Sequence, residues 1–78
     1  MGELRLMIFG QLEDITGTPE LLLPLVEDTN ALSIILEKKY PALKGRKFMI
    51  AVNQQIVKGN AAIEQGAQVA LLPPFSGG

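Results

Sequence analysis

The chain has 78 residues, 47% of them apolar, with three Phe, one Tyr and no Trp; a domain this small buries only about 60% of the surface its unfolded chain exposes, so its core must be economical and aliphatic. It contains neither Cys nor His, which excludes disulfides, thiol nucleophiles, thiolate or imidazole metal sites and a histidine base, and argues against an autonomous enzyme and a bound metal. Seven Lys and Arg against eight Asp and Glu give a net charge of −1; with no run of roughly 20 apolar residues and no secretory leader pattern, the expectation is a cytoplasmic protein without a membrane partner.

Leu4, Leu6 and Ile8 alternate with Arg5, Met7 and Phe9. That is strand periodicity, with the leucines and Ile8 on a core face and Met7 and Phe9 unexpectedly apolar on the other. Gly10 to Gly17 reads as one or two helical turns, with Leu12 and Ile15 three apart and Gly17 placed to close the last turn. Glu20 to Val26 follows as a second strand, antiparallel to the first, and Pro24 confines it to an edge or a bulge.

Asp28-Thr29-Asn30 supplies an N-cap. Leu32, Ile35, Leu36 and Tyr40 then recur at helical spacing, predicting an amphipathic helix over roughly 30–40 that Pro41 stops. The basic groupings, Lys38-Lys39 and Lys44 to Lys47, cluster around that helix end. They read as solvated charge rather than as the basic face of a nucleic-acid binder, so no nucleic-acid partner is expected.

A polar turn containing Gly45 leads to a third strand, Phe48 to Val52, with Phe48, Ile50 and Val52 in phase. Asn53-Gln54-Gln55 is a turn and Ile56-Val57 a short return strand. Ile63 plugs the core from the segment Ala61 to Gly66, and Gln68 to Leu72 forms the last strand, with Val69 and Leu71 on one face and Ala70 and Leu72 on the other. The order β–β–α–β–β–β defines an α+β domain over residues 1–72, a mixed sheet covered on one face by one main helix.

Residues 73–78, Pro-Pro-Phe-Ser-Gly-Gly, do not read as a folded element. Pro73 and Pro74 lack backbone donors and favour extension, and Gly77 and Gly78 carry no side chain. The expectation is a flexible tail, with a reach of roughly 20 Å for six residues. Frayed ends are common, but this one follows an apolar strand directly and is stiffened by proline before it becomes bare.

The segment Gln68-Val-Ala-Leu-Leu-Pro-Pro-Phe-Ser-Gly-Gly78 resembles the C-terminal signature of the MoaD family, the small sulfur-carrier subunits of molybdopterin synthase. Ala51-Val-Asn-Gln-Gln-Ile-Val57 is similar to that family's central strand and turn, and Ile8-Phe-Gly-Gln-Leu12 with Ile15-Thr-Gly17 to its first strand and short helix. The likeness spans essentially the whole chain. Ubiquitin-like relatives such as the thiamin sulfur carrier ThiS also end in Gly-Gly but typically lack the paired prolines. Two departures stand out: Gly66-Ala67-Gln68 replaces an acidic turn before the last strand, and Phe75 replaces a smaller aliphatic residue.

The resemblance implies a ubiquitin-like β-grasp fold and a chemistry done to the protein. An E1-like adenylating enzyme would use ATP to activate Gly78, a sulfur donor protein would convert it to a thiocarboxylate, and the sulfur would pass to a pterin precursor in the large subunit of the synthase, a hetero-oligomer. No cofactor is held permanently. Gly78 is then the carrier, Gly77 keeps the path narrow, and Pro73, Pro74, Phe75 and Ser76 bind the partner. Phe9, Ile56 and Leu72 match the family's apolar patch for both partners. Read from the residues alone, the competing readings are a second minor core under a loop or scattered surface apolars, and three large apolar residues beside the tail favour the patch. Two other readings stay open: a protein modifier joined through Gly78 to target lysines, and an interaction module working by sheet augmentation.

Overall fold

A computed structural model describes residues 2–74. Five strands form one sheet in the order β2-β1-β5-β3-β4, comprising β1 (Glu3–Ile8), β2 (Glu20–Pro24), β3 (Met49–Val52), β4 (Gln55–Ile56) and β5 (Val69–Leu72). Between β1 and β2 lies the short helix α1 (Leu12–Thr16), and the main helix α2 (Thr29–Lys39) precedes a 3-10 turn at Pro41–Leu43. All sheet contacts are antiparallel except β1 with β5, which run parallel. This is the expected mixed sheet with one main helix.

The alternation in β1 does what its period requires. Leu4, Leu6 and Ile8 are buried, and Glu3, Arg5 and Met7 are exposed. Gly17 closes α1 in the left-handed conformation, φ 76°, its N–H donating to the Glu13 carbonyl at 2.7 Å. β2 is an edge strand, which is where Pro24, with no N–H to donate, is tolerated. The core gathers Leu6, Leu32, Leu36, Ile50, Val69 and Leu71, together with Leu4, Ile8, Leu12, Leu23 and Ile63.

Helix α2 begins at Asp28, whose carboxylate accepts from the Ala31 N–H at 2.8 Å. Asn60, from a distant loop, completes the cap: its side-chain oxygen accepts from the Asn30 N–H at 2.9 Å and its amide donates to Asp28 at 3.2 Å. The backbone of Thr29 and Ala61 bonds at 2.9 Å, and the Ile63 N–H donates to Glu27 at 2.9 Å. The loop that carries Ile63 into the core is therefore stitched to the head of the helix.

Four details differ from the sequence reading. Strand β2 ends at Pro24, the last residue paired with β1, rather than at Val26. Strand β3 starts at Met49 rather than Phe48, because its pairing with β5 ends at Met49–Leu72, beyond which the partner chain leaves the sheet at Pro73. The hairpin turn is only Asn53-Gln54, both with positive φ (51° and 70°), so Gln55 already pairs with Val52 and β4 is Gln55–Ile56. Val57 still donates to Ile50 at 2.9 Å. Finally, the segment read as a polar turn holds Leu43, fully buried at the end of a 3-10 turn that Pro41 initiates. Pro73 and Pro74 are the last described residues; Phe75, Ser76, Gly77 and Gly78, and with them most of the expected tail, lie outside the described residues.

Leu36 has no exposed surface and sits between helix and sheet. Leu36→Ala is expected to destabilise the fold by about 2–5 kcal/mol, read from urea unfolding. A loss well under 1 kcal/mol by the same measure would contradict this packing.

Candidate functional site

The sheet has one face under α2 and one face open, and parity decides which side chains share the open one. In the observed registers Met7 is level with Ala70, Ala70 with Ala51, and Ala51 with Ile56. The same alternation puts Arg5, Leu72 and Met49 on that side. Ala51 and Ala70 are small, so the middle of the face is low while Met7, Phe9, Ile56 and Leu72 rise around it. The result is an open groove of about 840 Å³, floored by the alanines and reaching Arg5, Gln54 and Gln68 at its polar margins.

The three predicted patch residues all line this groove. Phe9 and Ile56 are each 46% exposed, and Leu72 is half-buried. Phe9, one residue past β1, is level with Leu72 on the neighbouring strand, while Ile56 stands on β4, with β5, β3 and the alanine floor between it and β1. They are thus rims of one concavity rather than a single contact cluster. Met7, 40% exposed, belongs with them. Its parity with Phe9 is the sequence signal that places it on this face.

The groove's polar margin is modest. Arg5 Nε lies 2.6 Å from a Glu20 carboxylate oxygen, but both side chains are well exposed, so this pair contributes little beyond local order. Asn53 ties the hairpin to the last strand's approach: its N–H donates to the Gln68 carbonyl at 2.7 Å and its side-chain oxygen accepts from the Gln68 N–H at 3.0 Å. Among the described residues there is no acidic cluster able to hold a metal and no helix long and apolar enough to cross a membrane. What the face can offer is apolar recognition, not acid–base chemistry.

The groove opens beside the root of the C-terminal segment. The Phe9 N–H donates to the Leu71 carbonyl at 3.0 Å, extending the β1–β5 ladder to its end. Beyond it, Pro73 is half-buried and Pro74 exposed. Pro73 rests against Gly10, which has φ +62° and whose missing Cβ would lie 2.6 Å from the proline Cγ. Gly10 was read from the sequence only as the start of a helical turn; its place beside the tail needed the parallel pairing to be seen.

Phe9→Ala and Ile56→Ala are each expected to cost less than about 1.5 kcal/mol in urea unfolding, the most that half-exposed side chains of this size contribute. Larger losses would show that these residues are core and not a free face.

Comparisons with known proteins bear on the family and the fold. The sequence matches the model of the ThiS family over residues 6–78. It is 25% identical over 80 residues to a molybdopterin synthase sulfur carrier subunit of Arabidopsis thaliana, a match spanning 97% of this chain and 83% of that protein. A Pyrococcus furiosus structure assigned as molybdopterin converting factor, subunit 1, superposes with a TM-score of 0.85 at 20% identity, covering 96% of this chain and all of that one. Small archaeal modifier protein 1 of Methanosarcina acetivorans superposes with a TM-score of 0.78 at 28% identity, covering 100% of this chain and 98% of that one. The fold is the ubiquitin-like β-grasp, and the chain belongs to the ThiS family, the ThiS/MoaD group of small sulfur carriers.

Proposed function

We propose that this protein is the sulfur-carrying small subunit of a molybdopterin synthase, acting through its Gly77-Gly78 end. The observation that carries the reading is the continuity of Pro73-Pro74-Phe75-Ser76-Gly77-Gly78 with a strand locked in the middle of the sheet, beside an apolar groove. The relationship to the Arabidopsis subunit supports the choice of pathway, and the paired prolines favour it over a thiamin-type carrier.

A terminal carboxylate titrates near about 3.5, so at neutral pH it is an anion and a poor electrophile. Its oxygen would attack the α-phosphorus of ATP on an E1-like enzyme, forming an acyl-adenylate and releasing pyrophosphate. A hydrosulfide equivalent from a sulfur donor protein would then add to the carbonyl carbon and expel AMP, leaving a thiocarboxylate on Gly78. The thiocarboxylate sulfur would bond to a carbon of a pterin precursor in the large synthase subunit, and water would then cleave the acyl–sulfur bond, leaving the sulfur on the pterin and regenerating the carboxylate. The bases and the ATP site belong to the partners. This chain contributes the groove of Met7, Phe9, Ile56 and Leu72 as docking surface, and residues 73–78 as the segment that enters the active site. Glycine at 77 and 78 keeps Cβ atoms out of that path.

A second reading, a protein modifier joined through Gly78 to lysines, is favoured by the likeness to small archaeal modifier protein 1. Both uses share the adenylation step and diverge after it. Incubation with an E1-like enzyme, ATP and inorganic sulfide should add to the intact mass the difference of one sulfur for one oxygen. A chain carrying one extra residue after Gly78 should stay unmodified. Equal sulfuration of the extended chain would sink the carrier reading, and lysine-linked conjugates in place of thiocarboxylate would establish the modifier.

A further inference from the structure

The sheet ends on both sides of β5 at one residue. On the β3 side, the register would next pair Phe48 with Pro73; on the β1 side, carried two residues past Ile8–Leu71, it sets Gly10 level with Pro73. Residue 73 has the parity of Leu71, whose carbonyl accepts from the Phe9 N–H. The N–H that proline lacks would therefore have faced β1, and the ladder stops on that flank; on the β3 flank the last hydrogen-bonded pair is already Met49–Leu72. Gly10 meanwhile turns out of the strand at φ +62° and its carbonyl accepts from the Glu13 N–H at 3.2 Å, starting α1. At that turn the pyrrolidine ring occupies the space a Cβ would need, 2.6 Å from Cγ and 3.5 Å from Cδ. By contrast, a Cβ on Gly17, Gly45, Gly59 or Gly66 would meet nothing within 4 Å. Those four glycines serve their turns alone; Gly10 serves a turn and a seat.

We propose that Gly10 is a positioning residue for the carrier reaction: the bare face of its Cα seats the Pro73 ring and thereby sets the direction in which the chain leaves the sheet toward Gly78. This rests on the carrier reading above. Pro74 follows directly, so the seat fixes where and in which direction the chain begins its run of at most about 16 Å to the terminal carboxylate. The groove around Met7, Phe9 and Ile56 docks the partner independently of the seat. Disturbing the seat should therefore slow chemistry without weakening docking.

Asparagine separates the two demands on residue 10, since it tolerates positive φ yet places a Cβ against Pro73. The assay is pyrophosphate release by the E1-like enzyme with full-length protein. Gly10→Asn is expected to lower kcat by about tenfold or more while KM stays near the wild-type value. Pro73→Ala, which loosens the seat, should lower kcat less. In the double variant Gly10→Asn/Pro73→Ala the clash is relieved, so its kcat should match that of Pro73→Ala alone rather than the product of the two losses. Losses that multiply, or a wild-type kcat for Gly10→Asn, would overturn the proposal. If Gly10→Asn does not fold, the double variant must; failure of both to fold would show that the glycine serves only the turn, and would equally overturn it. Absence of pyrophosphate release by the wild-type chain would instead strike the carrier reading itself.

Discussion

The parallel pairing of β1 with β5 is the constraint on which the rest of the molecule depends. It brings Leu6 level with Val69 and Ile8 level with Leu71, four side chains with almost no exposed surface, and it fixes the last strand between two neighbours. A parallel pair cannot be made by a tight turn, so the chain between must cross over the sheet. That crossover is α2, whose Leu32 and Leu36 cover the aliphatic face so formed. Because β5 is bonded on both edges, the residue after it starts from a fixed point. A C-terminal segment attached to an edge strand would have no such origin.

The two faces of the sheet then divide the work. The inner face carries Leu and Ile, whose volume fills the space under α2, as a domain of this size needs. The outer face alternates Met and Phe with alanine, leaving a hollow instead of a packed layer. The chain holds neither His nor Cys, and the polar groups on this face are Glu3, Arg5, Gln54 and Gln68 at the groove's margins. Under the proposed carrier reading the reactive carbon would lie at the chain end, and the groups that activate it would come from another protein.

Rigidity comes from stitching rather than from staples. Without disulfides, the long connection between β4 and β5 is held by Asn60 at the helix head, by Ile63 in the core, and by Asn53 against Gln68. Each tie satisfies a backbone group that would otherwise be left without a partner, and each sits at a loop the core alone could not order. The last of them steadies the start of β5, and with it the root of the terminal segment.

Much of this was legible in the residues themselves. The period of β1, the cap at Asp28, the stop at Pro41, the edge placement of Pro24 and the two faces of β5 are local properties, set by side-chain spacing and by what proline and glycine allow. The resemblance of the Pro-Pro-Phe-Ser-Gly-Gly ending and of the Ala51–Val57 strand and turn pointed to the family, which the match over residues 6–78 bears out. Leu43 escaped because one leucine in a polar stretch has no period to announce it. The start of β3 and the spread of Phe9, Ile56 and Leu72 around a groove were decided by register between strands far apart in the chain. So was the meeting of Gly10 with Pro73. Sequence spacing determines which way a side chain faces along its own strand; only the tertiary pairing decides what stands opposite it.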